Sequence, residues 1–238
     1  MKNEKCGVLY IVATPIGNLE DITFRAIRVL EEVDIVLCED TRVTRKLLDH
    51  YHLETETISY FQHSKLSKVD SIIKMLEDGV KMALVTDAGT PGISDPGQEL
   101  ISTIKAESPG TIIQPIPGPS ALTAAASVSG MIEKEFYFAG FLPKKKGRET
   151  KFRQFAKLPI PIVIYESAMR LERTLGDIKN YLGTNTEVFV AREITKMFEE
   201  YFGGKISKVI SELDQHTIKG EIVLIIKNKN EKRTSEKN

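Results

Sequence analysis

Val85-Thr86-Asp87-Ala88-Gly89-Thr90-Pro91-Gly92-Ile93-Ser94-Asp95-Pro96-Gly97 is the stretch on which the reading of this chain turns. The apolar run that leads into it, Met82 to Val85, has the length and composition of a buried strand. The chain then reaches Asp87 and breaks into a loop holding three glycines and two prolines. Beyond Pro96, Leu100, Ile101 and Ile104 are spaced for a helix. Joints between strand and helix usually take about 2–6 residues, and this one is longer and stiffer than a joint needs. Glycine lets a ligand approach the backbone, and proline fixes the loop shape in advance. A rigid loop between a strand and a helix is where open α/β sheets bind ligands. The segment reads as a binding loop.

The same grammar runs outward in both directions. Val8 to Ala13 is a strong strand, followed by the turn Thr14-Pro15-Ile16-Gly17-Asn18, with Asn18 or Asp21 available to cap the next helix. Ile22, Ala26, Ile27, Leu30 and Val33 form a helical stripe. Ile35 to Leu37 is a second strand, ending in Cys38-Glu39-Asp40-Thr41-Arg42, and Val43 to Tyr51 reads as a helix. Val69, Ile72, Ile73 and Leu76 mark another helix, with Ser67 and Asp70 as a capping pair. Thr111 to Ile116 closes the first half as a strand. Such alternation predicts a mostly parallel sheet flanked by helices. Pro115, Pro117 and Pro119 mark the domain junction, so the expected division is residues 1–117, 118–227 and a polar tail 228–238. Ser120 can cap the small-residue helix from Ala121 to Ser127. In the second half the strand candidates are Phe136 to Leu142, Ile160 to Tyr165, Val188 to Ala191 and Glu221 to Lys227. Helices carry Leu171, Leu175, Ile178 and Leu182, and then Ile206, Val209, Ile210 and Leu213. The tail from Asn228 has no apolar residue in eleven positions and reads as disordered.

Composition bounds the function. The 238 residues are 41% hydrophobic and 28% charged, ordinary for a globular protein. No apolar run approaches the ~20 residues that span a bilayer, and the N-terminus leads straight into a strand rather than a signal peptide. Cys6 and Cys38 sit in or beside apolar runs and read as reduced thiols, so no disulfide or metal site is expected and the chain reads as cytoplasmic. The formal net charge is zero. That argues against a stand-alone nucleic-acid binder, though local basic patches can still serve.

Three Gly/Pro loops follow three strands, at Thr14 to Asn18, Asp87 to Gly97 and Pro117 to Ser120. In a parallel sheet they share one edge and converge on one crevice. Neither GxGxxG nor a phosphate-binding GxxxxGK is present, which disfavours dinucleotide and triphosphate sites. What remains is a small-molecule site of backbone groups plus the Asp87 carboxylate, suited to a zwitterionic cofactor. Glu39-Asp40-Thr41-Arg42 lies on the same expected edge. It reads either as a polar constellation, Arg42 holding an anion and a carboxylate acting as base, or as helix-start acids complementing the dipole. Lys144-Lys145-Lys146-Gly147-Arg148, with Lys151 and Arg153 behind it, is either a solvated loop or a phosphate contact. Tyr165-Glu166-Ser167 with Arg170, and Arg192-Glu193-Ile194-Thr195-Lys196 with Glu199 and Glu200, end strands and offer either a catalytic base or structural ion pairs. The four histidines show no metal spacing; His63 is the one to follow.

Taken in order, Thr14-Pro15-Ile16-Gly17-Asn18-Leu19, Glu39-Asp40-Thr41-Arg42, the loop Asp87 to Gly97, Pro117-Gly118-Pro119-Ser120-Ala121, Phe138 to Pro143, Tyr165-Glu166-Ser167 and Arg192 to Lys196 resemble the ribosomal RNA small subunit methyltransferase I family. The resemblance covers about Val8 to Ile226. It implies the tetrapyrrole-methylase (class III methyltransferase) fold: two α/β domains with the cofactor in the cleft between them, usually as a homodimer. It implies 2′-O-methylation, with S-adenosylmethionine, of a cytidine ribose in the decoding region of small-subunit ribosomal RNA, within an assembled or nearly assembled subunit. Carried over by position, the cofactor contacts are Thr14, Pro15, Ile16, Gly17, Asp87, Ala88, Gly89, Thr90, Pro91, Ser94, Ser120 and Ala121, with Tyr165 and Gly220 further out. From their shared expected sheet edge, Glu39, Asp40 or Glu193 is expected to orient or deprotonate the ribose hydroxyl, and Arg42 or Lys196 to support phosphate or developing negative charge. Lys144, Lys145, Lys146, Arg148, Arg153 and Arg170 are the expected RNA contacts. The sequence departs from the family at Ala168-Met169, where Pro-His is common, and at Ser64-Lys65, where Asn-Glu is common; many members also carry a C-terminal extension. A tetrapyrrole methyltransferase and a non-catalytic RNA or ribosome-assembly binder are the rival readings.

Overall fold

Strands and helices alternate through the first half because apolar runs of four or five residues alternate with amphipathic stretches. The computed structural model describes residues 7–61, 66–216 and 218–228. Cys6, the His63-Ser64-Lys65 segment and the tail from 229 therefore lie outside the described residues. The chain divides into two compact units between Ser120 and Ala121.

The first unit runs β1 (Val8–Val12), α1 (Phe24–Glu32), β2 (Ile35–Cys38), α2 (Thr41–His50), β3 (Glu56–Ser59), α3 (Leu66–Glu77), β4 (Lys81–Leu84), α4 (Gln98–Glu107) and β5 (Ile112–Ile116). The sheet is ordered β3-β2-β4-β1-β5 and every pair is parallel. From β1 the chain moves one way, to β2 and β3; from β3 it returns through β4 to β5. Right-handed crossovers then put the outgoing helices on one face and the returning helices on the other. The core shows this division. Val12, Val36, Cys38, Ala83 and Val85 pack with Ala26, Val29, Leu30 and Leu48 of α1 and α2. Leu9, Ile35, Leu37, Met82 and Leu84 pack with Val69, Ile72, Leu76, Leu100 and Ile104 of α3 and α4. All four β2 residues are buried, as a strand covered on both faces requires. The direction reverses between neighbours β1 and β4, so the loops leaving their carboxyl ends flank the switch point where doubly wound sheets bind ligands.

Local capping differs from the sequence reading in two places. Asn18 caps only a short 3₁₀ turn, accepting from Glu20 N–H at 3.1 Å, and α1 is capped by Thr23, whose hydroxyl accepts from Ala26 N–H at 3.1 Å. Ser67 lies inside α3 rather than capping it, its carbonyl accepting from the Ser71 hydroxyl at 2.8 Å.

The second unit runs α5 (Ala121–Ser129), β6 (Tyr137–Phe141), α6 (Arg148–Phe155), β7 (Ile162–Ser167), α7 (Ala168–Leu182), β8 (Glu187–Arg192), β9 (Glu200–Lys205), α8 (Ile206–Ser211) and β10 (Glu221–Lys227). Its sheet is ordered β6-β7-β10-β8-β9, with β6 and β7 parallel and the other pairs antiparallel. Central β10 pairs Glu221 with Ser167 and Ile222 with both Glu166 and Arg192. That register gathers the ends of β7 and β8 beside Gly220-Glu221 on one sheet edge. Phe152 and Phe155 of α6 are fully buried in this unit's core with Leu171, Leu175 and Ile178 of α7.

Candidate functional site

At the carboxyl edge of the first sheet the three Gly/Pro loops are tied to one another. Thr14 and Gly89 form a two-residue antiparallel bridge, Thr14 N–H to Gly89 carbonyl at 2.9 Å and Gly89 N–H to Thr14 carbonyl at 3.0 Å. The Thr14 hydroxyl donates to the Thr86 carbonyl at 3.0 Å, and the Thr90 hydroxyl donates to the Pro119 carbonyl at 3.2 Å. Gly89 has φ +84°, a left-handed conformation that favours glycine. Ser94 takes φ +65° without that freedom, a strain characteristic of ligand-binding loops. These bonds give Thr14 a structural task. Thr14 is 2% exposed and uses its hydroxyl and both backbone groups inside the chain. It ties the loops together, and the Gly89 backbone does the same from the other side of the bridge. Pro15 and Ile16 are buried, while Gly17, Asp87, Ala88 and Ser94 are exposed and Thr90, Ser120 and Ala121 half-buried.

Beside these loops lies an open depression of about 510 Å³, lined by Glu39, Asp40, Thr41, Arg42, Ser59, Phe61 and Asp87. Its carboxylates are not equivalent. Asp40 caps α2, accepting from Arg42 N–H at 2.9 Å, and its two oxygens also take Arg42 Nε at 3.0 Å and Nη2 at 2.6 Å. The Arg42 hydrogen bonds hold its carboxyl down at about 2. Arg42 is in turn committed to Asp40, although its side chain is largely exposed. Asp87 Oδ1 accepts from Asp40 N–H at 3.3 Å, which joins the β2 and β4 loops. Glu39 has no hydrogen-bond partner among the described residues, and it is pushed above the usual carboxylate range by partial burial and by the nearby charges of Asp87 and Asp40. Of the three, only Glu39 is both free and raised toward the range of a working base.

At the edge of the second sheet the Arg192 to Lys196 turn is strained, with Glu193 at φ +50° and Thr195 at φ +66°. Lys196 Nζ donates to Glu193 Oε1 at 2.8 Å and to Glu221 Oε2 at 2.9 Å, and Glu193 Oε1 also accepts from Glu221 N–H at 3.0 Å. Burial alone raises the Glu193 carboxyl, but Lys196 and the Glu221 amide outweigh it and leave the group lowered. Burial likewise lowers Lys196, and its two carboxylate partners more than reverse that. Both groups stay charged and mutually occupied, the character of a structural ion pair rather than a base. Thr195 Oγ1 is buried without a partner among the described residues. Tyr165 packs edge-on against Phe138 at 5.0 Å and is tilted against Phe141 at 5.5 Å.

Of the expected RNA contacts, Lys144, Lys145 and Lys146 are exposed, and Arg153 is exposed but paired with Glu149 at 2.7 Å. Arg148 is a correction. It is 4% exposed, turned inward to Asp177 at 2.8 Å and Thr174 at 2.7 Å, and unavailable to a surface phosphate. Arg170 is mostly buried and bound to Glu166 at 2.6 Å.

Residues 8–210 match the tetrapyrrole (corrin/porphyrin) methylases. A Thermotoga maritima protein named ribosomal RNA small subunit methyltransferase I is 44% identical over 94% of this chain and 99% of its own length. The Bacillus subtilis protein of the same name is 42% identical over 97% of this chain and 78% of its own. This chain belongs to the ribosomal RNA small subunit methyltransferase I family. Solved structures agree on the fold. A cobalt precorrin-4 methyltransferase superposes with a TM-score of 0.68 at 19% identity, covering 92% of this chain and 94% of that one. The Thermus thermophilus uroporphyrin-III C-methyltransferase complexed with S-adenosylhomocysteine gives 0.64 at 17% identity, covering 93% and 97%.

Two features of this family member go beyond the sequence reading. Ser59 and Phe61 line the depression because β3 brings them beside β2, although the segment from Leu53 to Phe61 carries no clear strand pattern; the β-branched Thr55, Thr57 and Ile58 are the available signal. Gly220 has a structural reason of its own. It sits at φ +87°, and a Cβ there would collide with the Glu193 carboxylate. Gly220→Ala is expected to break the Glu193–Lys196–Glu221 cluster and destabilise the second unit by about 1–3 kcal/mol, read as a lowered Tm; an unchanged Tm would contradict the packing described.

Proposed function

We propose that the chain transfers a methyl group from S-adenosylmethionine to the 2′-hydroxyl of a cytidine in the decoding region of small-subunit ribosomal RNA, within an assembled or nearly assembled subunit. The observation that carries this reading is the set of three loops bonded together at one sheet edge beside the Glu39 carboxylate, which is unpaired among the described residues. The relatives named as small-subunit rRNA methyltransferases support the RNA substrate.

The donor set fits the cofactor. The exposed Asp87 carboxylate offers acceptors for an ammonium or for ribose hydroxyls, and the loop from Ala88 to Ser94 offers backbone groups with no large side chain in front of Gly92. When bound, S-adenosylmethionine supplies an electrophilic methyl on a sulfonium centre. The chain's own part is to hold the acceptor hydroxyl, take its proton and keep water from competing. Glu39 takes the proton: its carboxylate has no hydrogen-bond partner among the described residues, and its raised affinity for protons suits the task. Asp40 and Arg42 form a fixed pair that sets the start of α2 and so holds Glu39 at the rim of the depression. Positioning the hydroxyl supplies most of the acceleration.

Lys144, Lys145 and Lys146 contact RNA phosphates in this reading. Replacing all three with Ala is expected to flatten the slope of log affinity against log salt by about two, in filter-binding titrations with small-subunit RNA. An unchanged slope would remove the loop from the RNA interface. Methylation of subunits lacking the mark tests the proposal as a whole.

A further inference from the structure

Glu166 is a buried carboxylate with no part in the chemistry above. It is 1% exposed at the end of β7 and fully satisfied: Oε1 accepts from Ser167 N–H at 2.8 Å and Arg170 Nε at 2.6 Å, and Oε2 from the Thr174 hydroxyl at 2.7 Å. Its partners converge on one loop. Arg170 Nη1 donates to the Leu142 carbonyl at 3.1 Å. Arg148, whose Nη2 donates to Thr174 at 2.7 Å, reaches the Pro143 carbonyl through Nη1 at 3.4 Å. Arg173 Nη1 donates to the Lys144 carbonyl at 3.3 Å. Three successive carbonyls are thus held by three arginines. Two of these are tied to the same buried carboxylate, and Asp177 fixes Arg148 from its other side at 2.8 Å.

A buried ion pair is weak support for stability, because desolvating two charges consumes most of what their attraction returns. What this network does provide is a fixed loop. Lys144 is its last member and Lys145 and Lys146 come directly after it; the three side chains are exposed and mutually repulsive, and left alone such a segment would sample many conformations. We propose that Glu166 is a positioning residue: through Arg170 and through Thr174–Arg148 it holds the Leu142–Lys144 backbone so that the three lysines form a preformed contact for RNA phosphates. The ordering cost is then met on folding rather than on binding. This rests on the reading of the lysine loop as an RNA contact.

The test uses the whole chain carrying Arg170→Lys or Glu166→Gln. Lysine keeps the charge but replaces the planar fork, whose Nε and Nη1 reach Glu166 and Leu142 separately, with a single ammonium nitrogen; glutamine keeps the shape but weakens the charge-assisted bonds. Both variants are expected to be cut by trypsin within Lys144–Lys146 about tenfold faster than wild type. KM for small subunits should rise about fivefold or more, with kcat and S-adenosylmethionine affinity unchanged. Wild-type cleavage of the loop in folded Arg170→Lys overturns the clamp. A loosened loop with unchanged KM overturns its role in RNA positioning. The Lys144/Lys145/Lys146→Ala variant separates the two readings: if it too leaves KM unchanged, the lysine loop is not an RNA contact, whatever holds it.

Discussion

Glu39→Gln is expected to lower kcat for methyl transfer by about 10²–10⁴-fold, the usual worth of a positioned general base, without lowering Tm. The two halves of this result have one physical origin. Partial burial and the charges of Asp87 and Asp40 push the Glu39 carboxyl up. The folded chain therefore holds a proton that the unfolded chain has already released, and stability falls as pH rises through that window. At neutral pH the ionised carboxylate is a cost to folding, and a neutral amide relieves it, so Tm should stay level or rise slightly. A structural carboxylate behaves in the opposite way, losing stability on substitution. In wild type, kcat should fall on the acid side as Glu39 takes up its proton, at a pH above that of an ordinary glutamate, and the glutamine variant should lose that limb. A variant with near-normal kcat would remove Glu39 from the mechanism.

Asp87→Asn has the largest expected effect on the cofactor. The amide oxygen can still accept from Asp40 N–H, so the junction between the β2 and β4 loops is retained. What is lost is the charge of a carboxylate acceptor, worth about 10–100-fold in affinity for S-adenosylmethionine, measurable by calorimetry. Position adds a second consequence. Asp87 is the nearby charge that does most, after partial burial, to raise Glu39. Without it, the acid limb of kcat, measured at saturating cofactor, should move to lower pH. An unchanged limb would mean that Asp87 and Glu39 do not share a site.

The buried strands were the most legible part of the chain. Val8–Val12, Lys81–Leu84 and Glu221–Lys227 are apolar runs that hydrophobic burial alone identifies. The two strands with no counterpart in the sequence reading, Glu56–Ser59 and Glu200–Lys205, lie at sheet edges. An edge strand keeps one face partly in water and needs no apolar run, so Glu-Tyr-Phe-Gly-Gly-Lys carries little pattern. Helix α6 was hidden in a different way. Arg148 closes a basic run, and composition cannot tell which member of such a run turns inward. Phe152 and Phe155, three residues apart, were the signal that this segment has a buried face. Among the candidate bases, the pairing of Asp40 with Arg42 was open to inspection, two residues apart. The Lys196 partner of Glu193, three residues on, was equally open to inspection; its Glu221 partner was not, being 28 positions away and arriving only through the pairing of β10 with β8. Glu39 is distinguished by what it lacks, which no local pattern records.

Methyl transfer from labelled S-adenosylmethionine to assembled small subunits lacking the modification, with the product mapped by primer extension and alkaline cleavage, tests the central claim. The account predicts one labelled cytidine in the decoding region whose 3′ linkage resists alkali, since a methylated 2′-oxygen cannot attack the adjacent phosphate. Label on a base, or no transfer by a protein that binds the cofactor, would contradict it.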